Sequence, residues 1–236
     1  MPPAFQDSGQ LTLPVQLDDS ATLENFYVPE GSANEATLEA IDARESQSLY
    51  IWGGEGAGIT HLLQGLCHQA DQYALASIYI PLNELAADSP EQVLAGLESL
   101  DLVCLDELES VVTDEQWAEQ LFHFYNRAAL AGSKIAFGAR SSPTHLQTPL
   151  ADLHSRLCSL LIHRVDKLSD DEIVQALVFR ALRRGLDMSE SVAEYLVTRF
   201  SRKLSDQFKA LDVLDHASLA EQRKLTVPFV KSILEG

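Results

Sequence analysis

The sequence predicts an α/β domain built on a parallel sheet, followed by a small all-helical domain. Three observations carry that expectation. Short apolar stretches recur at intervals a helix can bridge, the first of them runs straight into a glycine-rich turn, and after Lys167 helical periodicity continues while strand-like stretches stop. Strands alternating with helices imply a parallel sheet covered on both faces. At 236 residues the sequence has room for one large domain, or a domain and a smaller partner.

Residues 1–20 carry no helical or strand period and include Pro2, Pro3, Gly9 and Pro14, so they read as a flexible arm. Residues 47–52 form a short apolar strand candidate ahead of a glycine run, and Leu62, Leu63, Leu66 and Ala70 mark the helix behind it. Strand, glycine turn, helix is the opening of a βαβ unit. Further strand candidates lie at 76–80, 102–105, 134–137 and 160–165, with the clearest helix between them at 114–131. A short helix is expected at 149–155, with Arg156 behind it. Ser169, followed by Asp170, Asp171 and Glu172, looks like a helix N-cap with an acidic first turn, and four helical segments run from there. In the third of these, Leu204, Phe208, Leu211 and Leu214 form one apolar stripe, the mark of a core face.

Chemistry concentrates in two places. Gly53, Gly54, Glu55, Gly56, Ala57, Gly58, Ile59 and Thr60 follow the phosphate-loop pattern G-x-x-x-x-G-K-[S/T] at Gly53, Gly58 and Thr60. Such a loop folds its N–H groups into a concave nest at the positive end of a helix, where an anion sits. Ile59 stands at the lysine position and cannot neutralise phosphate charge, which argues against turnover by this chain itself. The strand 102–105 ends in Asp106 and Glu107, the arrangement with which phosphate-loop proteins hold magnesium and orient an attacking water; Thr60 and Asp106 are the magnesium candidates. The seven histidines form no ligand spacing.

Charge excludes other classes. There are 17 basic and 35 acidic side chains, a net of −18. Residues 1–167 hold 7 basic and 24 acidic groups, whereas 168–236 hold 10 and 11. An acidic body repels phosphate backbones, so direct sequence-specific DNA binding is not expected. The basic pairs Arg183–Arg184 and Arg202–Lys203 read as a solvated helix face. Three cysteines at unrelated spacings suggest neither a disulfide framework nor zinc, and no stretch resembles a membrane span or secretory signal. A reduced, cytoplasmic setting is expected. In the arm, Gln10, Leu11, Thr12, Leu13, Pro14 and Val15 offer one polar anchor with alternating apolar side chains, a peptide suited to a preformed groove on a partner.

Assembled, these pieces resemble the DnaA-related group of AAA+ proteins, and within it the regulatory Hda branch, over nearly the whole chain. The motifs that carry the likeness are the Q-L-x-L-P arm at 10–14, the stretch Q-R-K-L-T-V-P-F-V-K at 222–231, the segment L-F-H-F-Y-N-R at 121–127, and the segment from Asn25 to Asn34. The resemblance implies an AAA+ phosphate-loop sheet domain at 21–167 and a helical lid at 168–236, behind a clamp-binding arm at 1–20. It implies that Phe26 and Tyr27 lie against the adenine of a bound ADP, with magnesium nearby, since family members bind ADP to become active. It further implies that the arm docks on the sliding β-clamp of the replicative polymerase. By the same resemblance, Arg156 is expected to act as an arginine finger in trans, stimulating ATP hydrolysis by the initiator DnaA and so preventing re-initiation of replication. A homo-oligomer is compatible with the group. Three nucleotide positions depart from its pattern: Ile59, Arg140 at the end of the fourth strand, and Ser205 in the lid. Arg140 is the expected substitute cation. The competing readings are an autonomous AAA+ ATPase using Asp106 and Glu107, which Ile59 opposes, and a DnaA-like initiation or loading factor, which the acidic charge opposes.

Overall fold

A computed structural model describes residues 17–44, 47–201 and 203–234. The groove-binding peptide at 10–15 and Arg202 lie outside the described residues. From Leu17 onward the chain is packed: the Asp18 amide donates to Gln64 Oε1 at 2.9 Å, and His68 Nε2 meets the Asp18 carbonyl oxygen at 2.9 Å.

In chain order the elements are α1 (Ala33–Ala40), β1 (Leu49–Trp52), α2 (Ile59–Gln72), β2 (Ser77–Pro81), the single turn α3 (Pro90–Val93), β3 (Leu102–Asp106), α4 (Glu115–Ala131), β4 (Lys134–Ala139), α5 (Ala151–Cys158) and β5 (Leu161–Arg164). After them come α6 (Asp170–Arg183), α7 (Glu190–Arg199), α8 (Leu204–Glu221) and α9 (Val227–Leu234). The five strands form one parallel sheet in the order β2-β3-β4-β1-β5.

Strand alternation decides which side chains face which layer. Tyr50, Val103, Leu105, Ile135 and Phe137 point to one face, where Trp117, Leu121 and Phe124 of α4 and Leu153 and Leu157 of α5 cover them. Leu49, Ile51, Leu102, Cys104 and Ala136 point to the other, beneath Leu62, Leu63 and Leu66 of α2. Both faces are therefore dry. The near-continuous apolar runs of β1, β3 and β4 follow from that.

Local signals set the helix ends. Asp114 caps α4 by accepting from the amides of Gln116 and Trp117. Ser169 and Glu172 complete a reciprocal capping box at the start of α6. The α6–α9 bundle closes on a core of its own, with Leu177, Leu196, Leu211, Leu214 and Phe229 fully buried. Two expectations need correction. The helix expected at 149–155 runs Ala151–Cys158, because Leu153 and Leu157 form an i,i+4 apolar pair that carries it one turn further; Arg156 lies within its last turn. Arg183 and Arg184 are not simply solvated: Arg183 pairs with Glu24 at 2.7 Å, and Arg184 pairs with Asp212.

Candidate functional site

The glycine run joins β1 to α2, and its last member shows why glycine is needed. Gly58 has φ +93°, and a Cβ there would lie 2.7 Å from the Phe26 ring. Phe26 is thus laid directly over the loop. Its ring meets His61 edge-on at 5.5 Å, and His61 Nε2 donates to the Thr22 carbonyl at 2.7 Å. Burial pushes the His61 pKa down to about 4, so the imidazole is neutral near physiological pH and can hold this strap as a donor. Tyr27 leans against Phe179 of α6 at 5.7 Å.

Across the loop stands the end of β3. Buried Asp106 accepts from Thr60 Oγ1 at 2.6 Å, from Tyr79 Oη at 2.9 Å and from the Glu107 amide at 2.9 Å. Burial and the neighbouring Asp106 carboxylate hold the Tyr79 hydroxyl protonated far above its ordinary range, which keeps it a donor. Glu107 occupies left-handed backbone at φ +55°, unusual outside glycine, in the way strained residues cluster at working sites. Burial, then Asp106, raises the Glu107 pKa, while Arg140 opposes both. Arg140 leaves the end of β4 to pair with Glu107 and Glu109, each at 3.2 Å.

The α6–α9 bundle closes the third side. Arg180 of α6 is only 2% exposed. Its guanidinium donates to Ser20 Oγ at 2.6 Å and the Asn25 carbonyl at 3.3 Å, and lies 4.4 Å from the Phe208 ring centre. Its Nε has no hydrogen-bond partner among the described residues. Lys203 reaches back to Glu55 of the glycine loop at 3.6 Å.

These elements enclose a cleft of about 590 Å³. Phe26, Tyr27, the whole run from Gly53 to Thr60, Asp106, Glu107 and Arg140 all line it, so the residues expected to touch nucleotide are brought together. Arg140 is present, but its charge already faces two carboxylates. Lys203, Ser205 and Lys209 all reach the lining, because the head of α8 abuts the loop. Sequence reasoning missed Lys167 and Arg180. A signal for Arg180 existed: helical periodicity puts it on the face of Ile173 and Leu177, where an arginine must be buried. Thr60 and Asp106 supply the hydroxyl and carboxylate oxygens suited to magnesium. Among the described residues no group of three His, Cys, Asp or Glu side chains could hold a metal on its own.

Arg156 lies apart. It is exposed, outside the cleft lining, with its guanidinium 5.8 Å from the Tyr125 ring centre. No ion pair to Asp152 or to another acid forms among the described residues.

A parallel five-stranded sheet, a glycine loop opening α2, an acidic strand end beside it and a helical lid define a protein of AAA+ class. Residues 17–166 match the family described as the bacterial DnaA ATPase domain, and residues 170–234 match the Hda lid domain. The chain belongs to the DnaA ATPase-domain family, in its Hda-like form. Its fold is similar to domain III of the Thermotoga maritima replication initiation protein DnaA, with 22% identity, 94% of this chain and 98% of that one covered, and a TM-score of 0.72. It is also similar to AMPPCP-bound DnaA from Aquifex aeolicus, with 22% identity, 84% and 66% covered, and a TM-score of 0.66. A DnaA bound to AMPPCP and single-stranded DNA follows, with 23% identity, 87% and 69% covered, and a TM-score of 0.63. At such identities the likeness establishes the fold.

Proposed function

We propose that this chain is a regulator working through partners. Together with the DNA-loaded sliding β-clamp, it stimulates ATP hydrolysis by the initiator DnaA. The arm at 10–15 engages the clamp, the cleft holds ADP with magnesium at Thr60 and Asp106, and Arg156 is lent to the neighbouring DnaA site in the cytoplasm. The observation that carries this reading is the standing of Arg156. It is exposed, unpaired by any described acid and outside the lining of its own cleft, on a chain whose lid matches the Hda lid domain. A guanidinium added to a phosphoryl transition state is worth roughly 10³–10⁵ in rate in other systems. AMPPCP in two DnaA relatives of the same fold supports nucleotide in the cleft.

The test is ATP turnover by DnaA with this chain, loaded clamp, both or neither. Stimulation that needs both is expected; turnover unchanged with both present rejects the reading. The continuous Thr60–Asp106–Glu107 arrangement favours one other reading, an autonomous ATPase. Turnover by the chain alone would select it.

A further inference from the structure

The phosphate loop has lost its cation in sequence but not in space. Ile59, at the head of α2, is apolar, and Arg140 is held between Glu107 and Glu109. Lys203 is paired with Glu55. Lys167 is different. A Cβ placed on Gly56, in the middle of the loop, would lie 3.7 Å from Lys167 Cε and 3.8 Å from its Nζ. The ammonium therefore hangs over the loop itself. Lys167 is exposed, lines the cleft, and has no ion-pair or hydrogen-bond partner among the described residues.

Its backbone is placed firmly. The Val165 amide donates to the Trp52 carbonyl at 2.8 Å, and the Val165 carbonyl oxygen would lie 2.4 Å from a Cβ on Gly53, so the chain leaving β5 presses on the first residue of the loop. One residue on, Asp166 is gripped at both backbone groups by the Asn34 amide, at 2.8 and 2.9 Å. A flexible four-carbon stem rooted at such a fixed point delivers a compact charge to one place. In a chain of net charge −18, an unneutralised ammonium over a nest of backbone N–H groups marks where an anion goes.

We propose that Lys167 is the phosphate-binding lysine of this chain, reaching the loop from the exit of β5 in place of the lysine that Ile59 displaces. The ligand class is a nucleoside diphosphate, whose terminal phosphate meets Nζ. Lys167 also sits at the joint between the sheet and α6, so phosphate binding there fastens the joint. The proposal rests on the reading of the cleft as a nucleotide site.

Calorimetric titration of the intact chain with ADP and with adenosine tests it. Lys167→Met keeps the stem and removes the charge. It should weaken ADP binding at least about tenfold, the weight of one charge-assisted contact, with adenosine affinity and melting temperature unchanged. Lys167→Arg should keep most of the ADP affinity, and Ile59→Lys added to Lys167→Met should restore it. If wild type binds ADP and Lys167→Met binds it equally well, the lysine assignment falls and the nucleotide site stands. If wild type binds neither ligand, both fall.

Discussion

The Thr60 hydroxyl donates to Asp106 Oδ2 across 2.6 Å, tying the head of α2 to the end of β3. The same oxygen accepts from Tyr79 at 2.9 Å, while Oδ1 takes the Glu107 amide. One buried carboxylate thus organises three elements and the strained backbone of Glu107. The Thr60–Asp106 contact is also the one a magnesium ion would enter, since both oxygens are its natural ligands.

Asp106→Ala should therefore be costly to the fold as well as to any metal. It strands the buried Tyr79 hydroxyl and frees the Thr60 hydroxyl, which faces the cleft, a loss of about 1–3 kcal/mol measured by urea unfolding. Asp106→Asn retains an acceptor oxygen and should lose less than half of that. Wild-type stability in the alanine variant would contradict the network.

His61 gives the strap a pH dependence. The folded imidazole titrates near pH 4, against 6.5 in the unfolded chain. Between those values the unfolded state binds a proton that the folded state refuses, so stability is full above the upper value and falls as pH drops toward the lower one. Going from pH 7 to pH 5 should remove roughly 2 kcal/mol through this group. Paired acids such as Asp18 and Asp42, held below their usual range, add acid lability of their own, so the comparison must be with a variant. His61→Gln keeps a donor for Thr22 and should lose about 2 kcal/mol less over the same interval. Parallel pH profiles for the two proteins would refute the assignment.

What the sequence makes legible is whatever a local pattern specifies. β1, β3 and β4 are readable because burial on both faces demands continuous apolar runs, and α6 because Ser169 and Glu172 cap it within four residues. The glycine loop is readable because its backbone needs glycine at Gly58. What is illegible depends on distant partners. Arg140 looks like a free cation until β3 and β4 pair and bring Glu107 and Glu109 against it. Lys167 looks like a linker residue until β5 docks beside β1 and sets its side chain over Gly56, 111 positions earlier in the numbering. Arg180 is held by Ser20 and Asn25, from the far end of the chain.

The peptide at 10–15 should carry most of the clamp affinity. In the proposed function Leu13 and the Gln10 amide would be its anchors, and truncating such anchors typically costs at least about 2 kcal/mol of binding. Gln10→Ala with Leu13→Ala should abolish clamp capture. The melting temperature should stay within about 1 °C, as expected of a segment whose sequence carries no helical or strand period. Clamp capture at wild-type strength by the double variant would reject the assignment.

Arg156 should act in trans and only on chemistry. Its exposed guanidinium beside Tyr125, in the last turn of α5, supports no described ion pair, so Arg156→Ala should unfold at the wild-type midpoint and still bind clamp. The same variant should fail to stimulate ATP hydrolysis by DnaA. Arg156→Lys separates charge from geometry. A lysine brings a point charge without the planar fork that grips two phosphate oxygens at once, so it should recover little of the lost rate. Should lysine restore full stimulation, a general electrostatic effect replaces the finger. Should alanine keep full stimulation, Arg156 is a surface residue stacked on a tyrosine, and the regulatory chemistry must come from elsewhere on this face.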